Sequence, residues 1–510
     1  MTTAERRKRQ YPRLALITTL LALVAVAWNP GWVPAHDDDD EKMGGNEGPR
    51  KGNHPGHGAE RHDMKLIGFN DLQARSAYQP IVHHQGNRWI AYIGHHGGTS
   101  GPGVGAPDNN GTSVVDVTNP RRPRYLFHIK GAEGAGEMGG AQMVRACNGI
   151  DLPRANKDKV YVLRATPTNH EIYDVTVPET PTLVTTVVSG LRDSHKSWWD
   201  CKSGIAYLVS GPPGWRTSRM TQVFDLGDPA HPRFIRNFGL VGQQPGATGP
   251  VPTQLHGPIP LEGRVYFGHG TSSNGTLQIV DEKALLTATL IDPANPTPAE
   301  LLAPQRGRLD TSQTVGAHTV FPIHRMPIPD FVDNTAGAVR DIVVLVNEST
   351  ANECRENRQL VFMVDVTPMA DGNVKPQVIS NYQVSEASGN FCQRGGRFGA
   401  HSSHENMNNV YYGKIMFFAW FNAGVRAVDI RNPYDPQEIG FFIPATTSNT
   451  EERCVTTNGV QTCKVAIQTN NVDVDDRGFI YTVDRAATGL HIFALTGEAR
   501  KIAGLPGDDD

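Results

Sequence analysis

Four histidines stand in the same register of a repeated pattern. Ser194-His195, Leu255-His256, Ala317-His318 and Ala400-His401 each precede an apolar stretch by a comparable interval. If the repeats surround one axis, equivalent positions converge on it, and the four imidazoles gather at one end of a channel. Neutral imidazole suits copper, iron or zinc. Three or four such ligands with an open coordination position describe a catalytic metal site. The same register also suits a metal-free ligand or general-base site, or rings that line a hydrated channel. The metal reading is favoured because histidine is the commonest metal ligand.

Other residues are candidates for the same region. His404 and Glu405 follow His401 closely, and a carboxylate there can orient a ligating ring. His269, Glu348, Trp420 and Arg485 end apolar strands at matching points and are candidates for the same mouth. Gln142 takes the place of the histidine in one further copy, Asn470 or Asn471 in another, and Tyr78 or Gln79 in a third. His324 reads as a surface or packing residue. His83-His84 and His95-His96 read as loop positions. Gly97 to Gly111 lacks the helix start and lysine of a phosphate loop, so no nucleotide cofactor is expected. Asp473 to Gly478 reads as a β-turn, since the closing glutamate of a calcium loop is missing.

The elements that must position these residues recur seven times. The copies are NRWIAYIG with GTSVVDVTNPRRP, DKVYVLRA with HEIYDVTVPETP, SGIAYLVS with MTQVFDLGDPAHP, GRVYFGHG with GTLQIVDE, DIVVLVNE with LVFMVDVTP, GKIMFFAW with GVRAVDIRNPYDP, and GFIYTVDR with GLHIFALTG. Alternating β-branched and aromatic residues mark strands. The closing Asp and the Pro after it start a turn and stop the strand. A further strand follows most corners, as in RYLFHIKG and QEIGFFIP. The last copy lacks it after Leu495, and the orphan segment MKLIGFNDL before the first copy can supply it. Closure of this kind removes an exposed sheet edge. The expectation is an all-β, seven-bladed β-propeller whose N-terminal strand closes the last blade. Ala284 to Leu290 and Met326 to Val339 read as insertions in the fourth and fifth copies.

The segments GTSVVDVTNPRRP, GVRAVDIRNPYDP and LVFMVDVTP resemble the repeat of the LVIVD family of exported β-propellers, over roughly Met64 to Leu495. That resemblance implies the same fold and carries no catalytic motif. An arc of axial histidines is also similar, in architecture alone, to the iron site of the carotenoid-cleaving oxygenases, whose sequence motifs this chain lacks.

Arg6, Arg7, Lys8, Arg9 and Arg13 precede an apolar run from Leu14 to Trp28, and Val33-Pro34-Ala35 offers a cleavage site. Residues 1–35 therefore read as a signal peptide or, if uncleaved, a signal anchor that is the chain's only membrane contact. Residues 36–63 read as a disordered acidic and polar linker, 64–497 as the propeller and 498–510 as a C-terminal tail. Six cysteines in an exported, extracellular or periplasmic chain read as disulfides. Cys454 with Cys463, across a Thr-Thr-Asn-Gly turn, is the favoured pair. Cys147 with Cys201 and Cys354 with Cys392 are secondary pairings. A formal net charge of -4 argues against nucleic acid. The expected partners are a small-molecule ligand or a cell-surface partner. The leading function is a metal-dependent enzyme, an oxidoreductase by preference. The competing class is a non-catalytic propeller that recognises a protein or surface polymer.

Overall fold

The computed structural model describes residues 57–99, 104–328 and 339–507. The segment expected to be a signal peptide, most of the expected linker and most of the insertion in the fifth copy lie outside the described residues. Seven antiparallel sheets, six of four strands and one of five, form the blades of a β-propeller. Blades one to six span 77–130, 143–188, 198–238, 255–310, 319–382 and 402–443 in chain order. In the seventh, the three strands within 469–495 are completed by Met64–Asn70, which pairs antiparallel with Leu490–Leu495. The innermost strand of each blade touches that of the next, from the first blade round to the seventh and back to the first. The ring therefore has no open edge, and chain termini close it.

The repeated Asp has a local task. At the end of the third strand, Asp116, Asp174, Asp225, Asp365 and Asp429 each accept the backbone N–H two residues on, at 2.9 to 3.0 Å. This is an Asx turn, and it redirects the chain into the Pro corner. In the fourth blade Asp281 instead caps the helix Glu282–Thr287 through the N–H of Ala284. The helix sits where the Pro corner is missing and matches the insertion expected there. Apolar faces of neighbouring sheets meet in seven buried clusters. Val344, Val346 and Met363 of the fifth blade, for example, pack with Phe418 and Trp420 of the sixth.

Two local expectations are corrected. Glu60–His62, assigned to the linker, forms a fifth, outer strand on blade six against Phe441 to Ile443. Its backbone thereby pairs an edge that water would otherwise solvate. His83 and His84 lie within the innermost strand Ala77–Gln85, and His95 ends the strand Arg88–His95; none is in a loop. Residues 497–502 form a short helix, Gly497–Ile502, at the start of the tail.

All six cysteines are paired: Cys147–Cys201, Cys354–Cys392 and Cys454–Cys463. The last pair joins the two strands of a hairpin, Glu452–Thr457 and Val460–Val465, between blades six and seven. Full pairing suits an oxidising compartment.

Candidate functional site

The four histidines occupy equivalent places at the starts of innermost strands. The backbone N–H groups of His195, His318 and His401 bond to the carbonyls of Val209, Val346 and Ala419, at the ends of the second strands of their own blades. His256 sits at a register shift between Leu255 and Gly257. Tyr78 and Asn470 sit at the corresponding shifts of blades one and seven. A bulge re-aims a side chain without ending the strand, and these three residues reach the axis in that way.

Five rings close a circle around the axis. Neighbouring centroids lie 4.9 Å apart for His195 and His256, 3.3 Å for His256 and His318, and 4.8 Å for His318 and His401. Tyr78 completes the circle, 5.8 Å from His401 and 5.5 Å from His195. Its hydroxyl lies 3.2 Å from Nε2 of both His195 and His256. One hydroxyl can donate to one ring and accept from the other. Each imidazole is only 1 or 2 % exposed. Burial, reinforced by neighbouring cations, holds all four well below the ordinary histidine range, so they are neutral.

The circle is not uniform. Donor atoms of His318, His401 and Glu348 all lie within 4.8 Å of one another, and all three residues are buried. Nε2 of His318 is 3.2 Å from one carboxylate oxygen of Glu348, and Nε2 of His401 is 3.7 Å from the other. Nδ1 of His401 faces the backbone carbonyl of Asn470, so it carries the proton and donates. The lone pair of Nε2 is then left without a hydrogen-bond partner in a buried position. A carbonyl that fixes tautomer and ring orientation is the usual support of a metal-ligating histidine. Two imidazoles and a carboxylate form a donor set that could hold a transition-metal ion. His195 and His256 stand beside that set and face Tyr78.

Charges surround the group. Glu348 accepts from Nη1 of Arg397 at 2.9 Å and lies 3.7 Å from Arg485. Burial nevertheless raises Glu348 above its ordinary carboxylate range, against the pull of both arginines. Glu137 lies 3.2 Å from Arg219 and 3.4 Å from Arg485. Burial would raise it, but the charges of Arg485 and Arg219 bring it well below its ordinary value. His96 stacks on Tyr78 at 4.7 Å.

A second charged group lies beside the first. Glu405 pairs with Arg145 at 2.6 Å and with Lys196 at 2.5 Å, and all three are nearly inaccessible. Lys196 and Glu405 line a small space with His256 and His318. Glu405 thus does not orient His401, as its position in the sequence suggests. It pairs with two buried cations.

The remaining candidates are placed elsewhere. His404 packs against Phe321 and Phe417 and accepts the N–H of Phe417 through Nδ1; burial lowers it to about 3. His269 is buried at the end of Arg264–His269, where burial lowers it to about 3. His324 bonds to Tyr266 at 2.7 Å and Glu262 at 3.1 Å, away from the axis, in the packing role expected. Gln142 donates to the carbonyl of Glu137 at 2.6 Å. Asn471 accepts from Ser402 at 3.0 Å and so braces the strand beside His401. Trp420 is buried between blades five and six.

Arg219, Arg397, Glu137 and Lys196 escaped the sequence reading. Of these only Lys196, next to His195, carried a positional signal. No family model matches the chain, and no curated protein matches it. The site is read from its geometry alone.

Proposed function

We propose that the chain is an exported, metal-dependent oxidoreductase of the LVIVD-repeat type, with a transition ion held by His318, His401 and Glu348. The observation that carries this reading is the approach of those three buried donors to within 4.8 Å. A set of two histidines and one carboxylate with open positions suits iron(II), and copper or zinc accept the same atoms. When bound, such an ion polarises a substrate oxygen or activates water or oxygen. The protein's own residues hold neutral imidazoles in place and exclude bulk water. Tyr78, shared between His195 and His256, supplies a proton donor beside the open side. Export is supported by the basic and apolar N-terminus and by three disulfides.

One observation favours the competing reading of a non-catalytic binding propeller for a small ligand or cell-surface partner. Arg397 already neutralises Glu348 at 2.9 Å, so the carboxylate has a role without metal. Elemental analysis of the purified protein, after growth with iron, copper and zinc, separates the two. The metal reading expects one ion per chain, lost in His318→Ala and His401→Ala variants that retain the β-rich circular dichroism of the parent. A wild type with no stoichiometric metal would sink it.

A further inference from the structure

Glu348 of the donor group lines a cavity of about 230 Å³ whose walls also include Tyr78, His195, Arg219, Glu137 and Arg397. We infer that this cavity binds the carboxylate of a small organic acid between Arg219 and Arg397. The inference rests on the metal reading for the chemistry done to that acid, though not for its anchoring.

Hydrogen-bond capacity is the first support. Arg219 is 6 % exposed at its side chain, and its bonds to Glu137 and Asp193 both leave from Nη2. Its Nε is buried and has no hydrogen-bond partner. A buried donor without an acceptor is costly, and a ligand that supplies the acceptor removes the cost. Arg397 similarly bonds to Glu348 and to the carbonyl of Ser349 through Nη1 alone among the described residues. The planar guanidinium fork matches the two oxygens of a carboxylate.

Charge is the second support. Arg219, Arg397 and Arg485 face Asp193, Glu137 and Glu348, three charges of each sign. A divalent ion on Glu348 leaves this largely enclosed group of six side chains two units positive. An uncompensated charge in such a site is unfavourable, and a bound anion restores balance. Size is the third. At roughly 30 Å³ per water in the liquid, the cavity holds the equivalent of about eight waters, which is room for a small acid.

The test is calorimetric titration of the full chain with propionate, pyruvate, neutral propionamide and inorganic phosphate, with metal content measured on the same samples. Propionate and pyruvate are expected to bind at least about tenfold more tightly than propionamide, the scale of a charge-assisted hydrogen bond. Arg219→Gln should remove most of that difference without changing metal content, and Arg219→Lys should restore part of it. Equal binding of acid and amide, tighter binding of phosphate than of either acid, or unchanged binding in Arg219→Gln would overturn the inference. The acid-against-amide comparison uses the wild type and stands even if the variant fails to fold. A wild type that binds propionate but holds no metal supports the carboxylate site and refutes the metal reading. One that holds metal but ignores both acids does the reverse.

Discussion

Nε2 of His401 lies 3.7 Å from Glu348 Oε1, while Nδ1 of the same ring faces the carbonyl of Asn470. Three blades meet in that contact. The backbone of blade seven orients a histidine from blade six toward a carboxylate that follows the second strand of blade five. The carboxylate is the weakest member of the donor set, because Arg397 competes for it.

Glu348→Gln tests that member while it preserves shape. The amide keeps an oxygen near both imidazoles but loses the negative charge that favours a cation. We expect metal affinity to fall by at least about 10–100-fold, the range for loss of a group that only supports a ligand, measured by competition with a chromogenic chelator. Unaltered affinity would remove Glu348 from the ligand set.

Tyr78→Phe removes the hydroxyl shared by two Nε2 atoms at 3.2 Å. Nδ1 of His195 and of His256 already have no partner, so the variant leaves both rings without a hydrogen bond. Leaving a buried polar group unsatisfied costs about 1–3 kcal/mol. Urea denaturation should show a loss of that order with metal content retained. A loss of metal together with the hydroxyl would make Tyr78 a ligand instead.

Acid should destabilise the fold even without the axial histidines. Burial lowers His170 to about 4 and His269, His404 and His491 to about 3, from 6.5. Below about pH 6.5 the unfolded chain takes up protons that these folded-state rings refuse. Their contribution is therefore complete above that pH and is lost as pH falls toward 3 or 4. Asp473 and Asp484, raised by burial to about 7 and about 6, work the other way. Their contribution is present below 3.8 and lost as pH rises through 6 to 7. Four histidines oppose two aspartates, so the thermal midpoint should fall steadily from pH 7 to pH 4. A midpoint that holds or rises over that interval contradicts the assignment of neutral, buried rings.

The Cys147–Cys201 bond closes a loop with a sequence separation of 54 and joins the innermost strand of blade two to the first hairpin of blade three. In the chain-entropy view a loop of that length gains about 4 kcal/mol from closure. The Cys147→Ser, Cys201→Ser variant should unfold at lower urea by an amount of that order, with the native circular dichroism unchanged beforehand. The shorter Cys454–Cys463 loop, with a separation of 9, should matter less.

The architecture was legible because its signals are local and repeated. An Asp that accepts the N–H two residues on, followed by Pro, is chemistry contained within a few residues. Five blades show the same Asx turn. Strand alternation repeats seven times, and the unpaired segment at the front matches the missing strand at the back. The histidine register was legible for the same reason, since each ring precedes its strand in the same way. The favoured pairing of Cys454 with Cys463 followed from a turn short enough to read.

Much of the site was decided only by the tertiary structure. The strand-end register made Glu348 a candidate for the mouth along with His269, Trp420 and Arg485, but only the fold of blade five shows that it alone of these reaches His318, 30 residues away in the chain. Tyr78 and Asn470 reach the axis through bulges, which leave no mark in residue type. Arg219 and Arg397 enter from connections between strands, where the sequence pattern carries no period. Glu405 shows the converse: its place four residues after His401 suggested support for a ligand, but the short strand Ser402–Ser403 ends before it, and it faces Lys196 and Arg145. By itself the sequence determined the blades and the arc of imidazoles, because local bonding and period suffice for both. Which donors converge, and which ring Tyr78 serves, depended on how seven separately encoded sheets close around one axis.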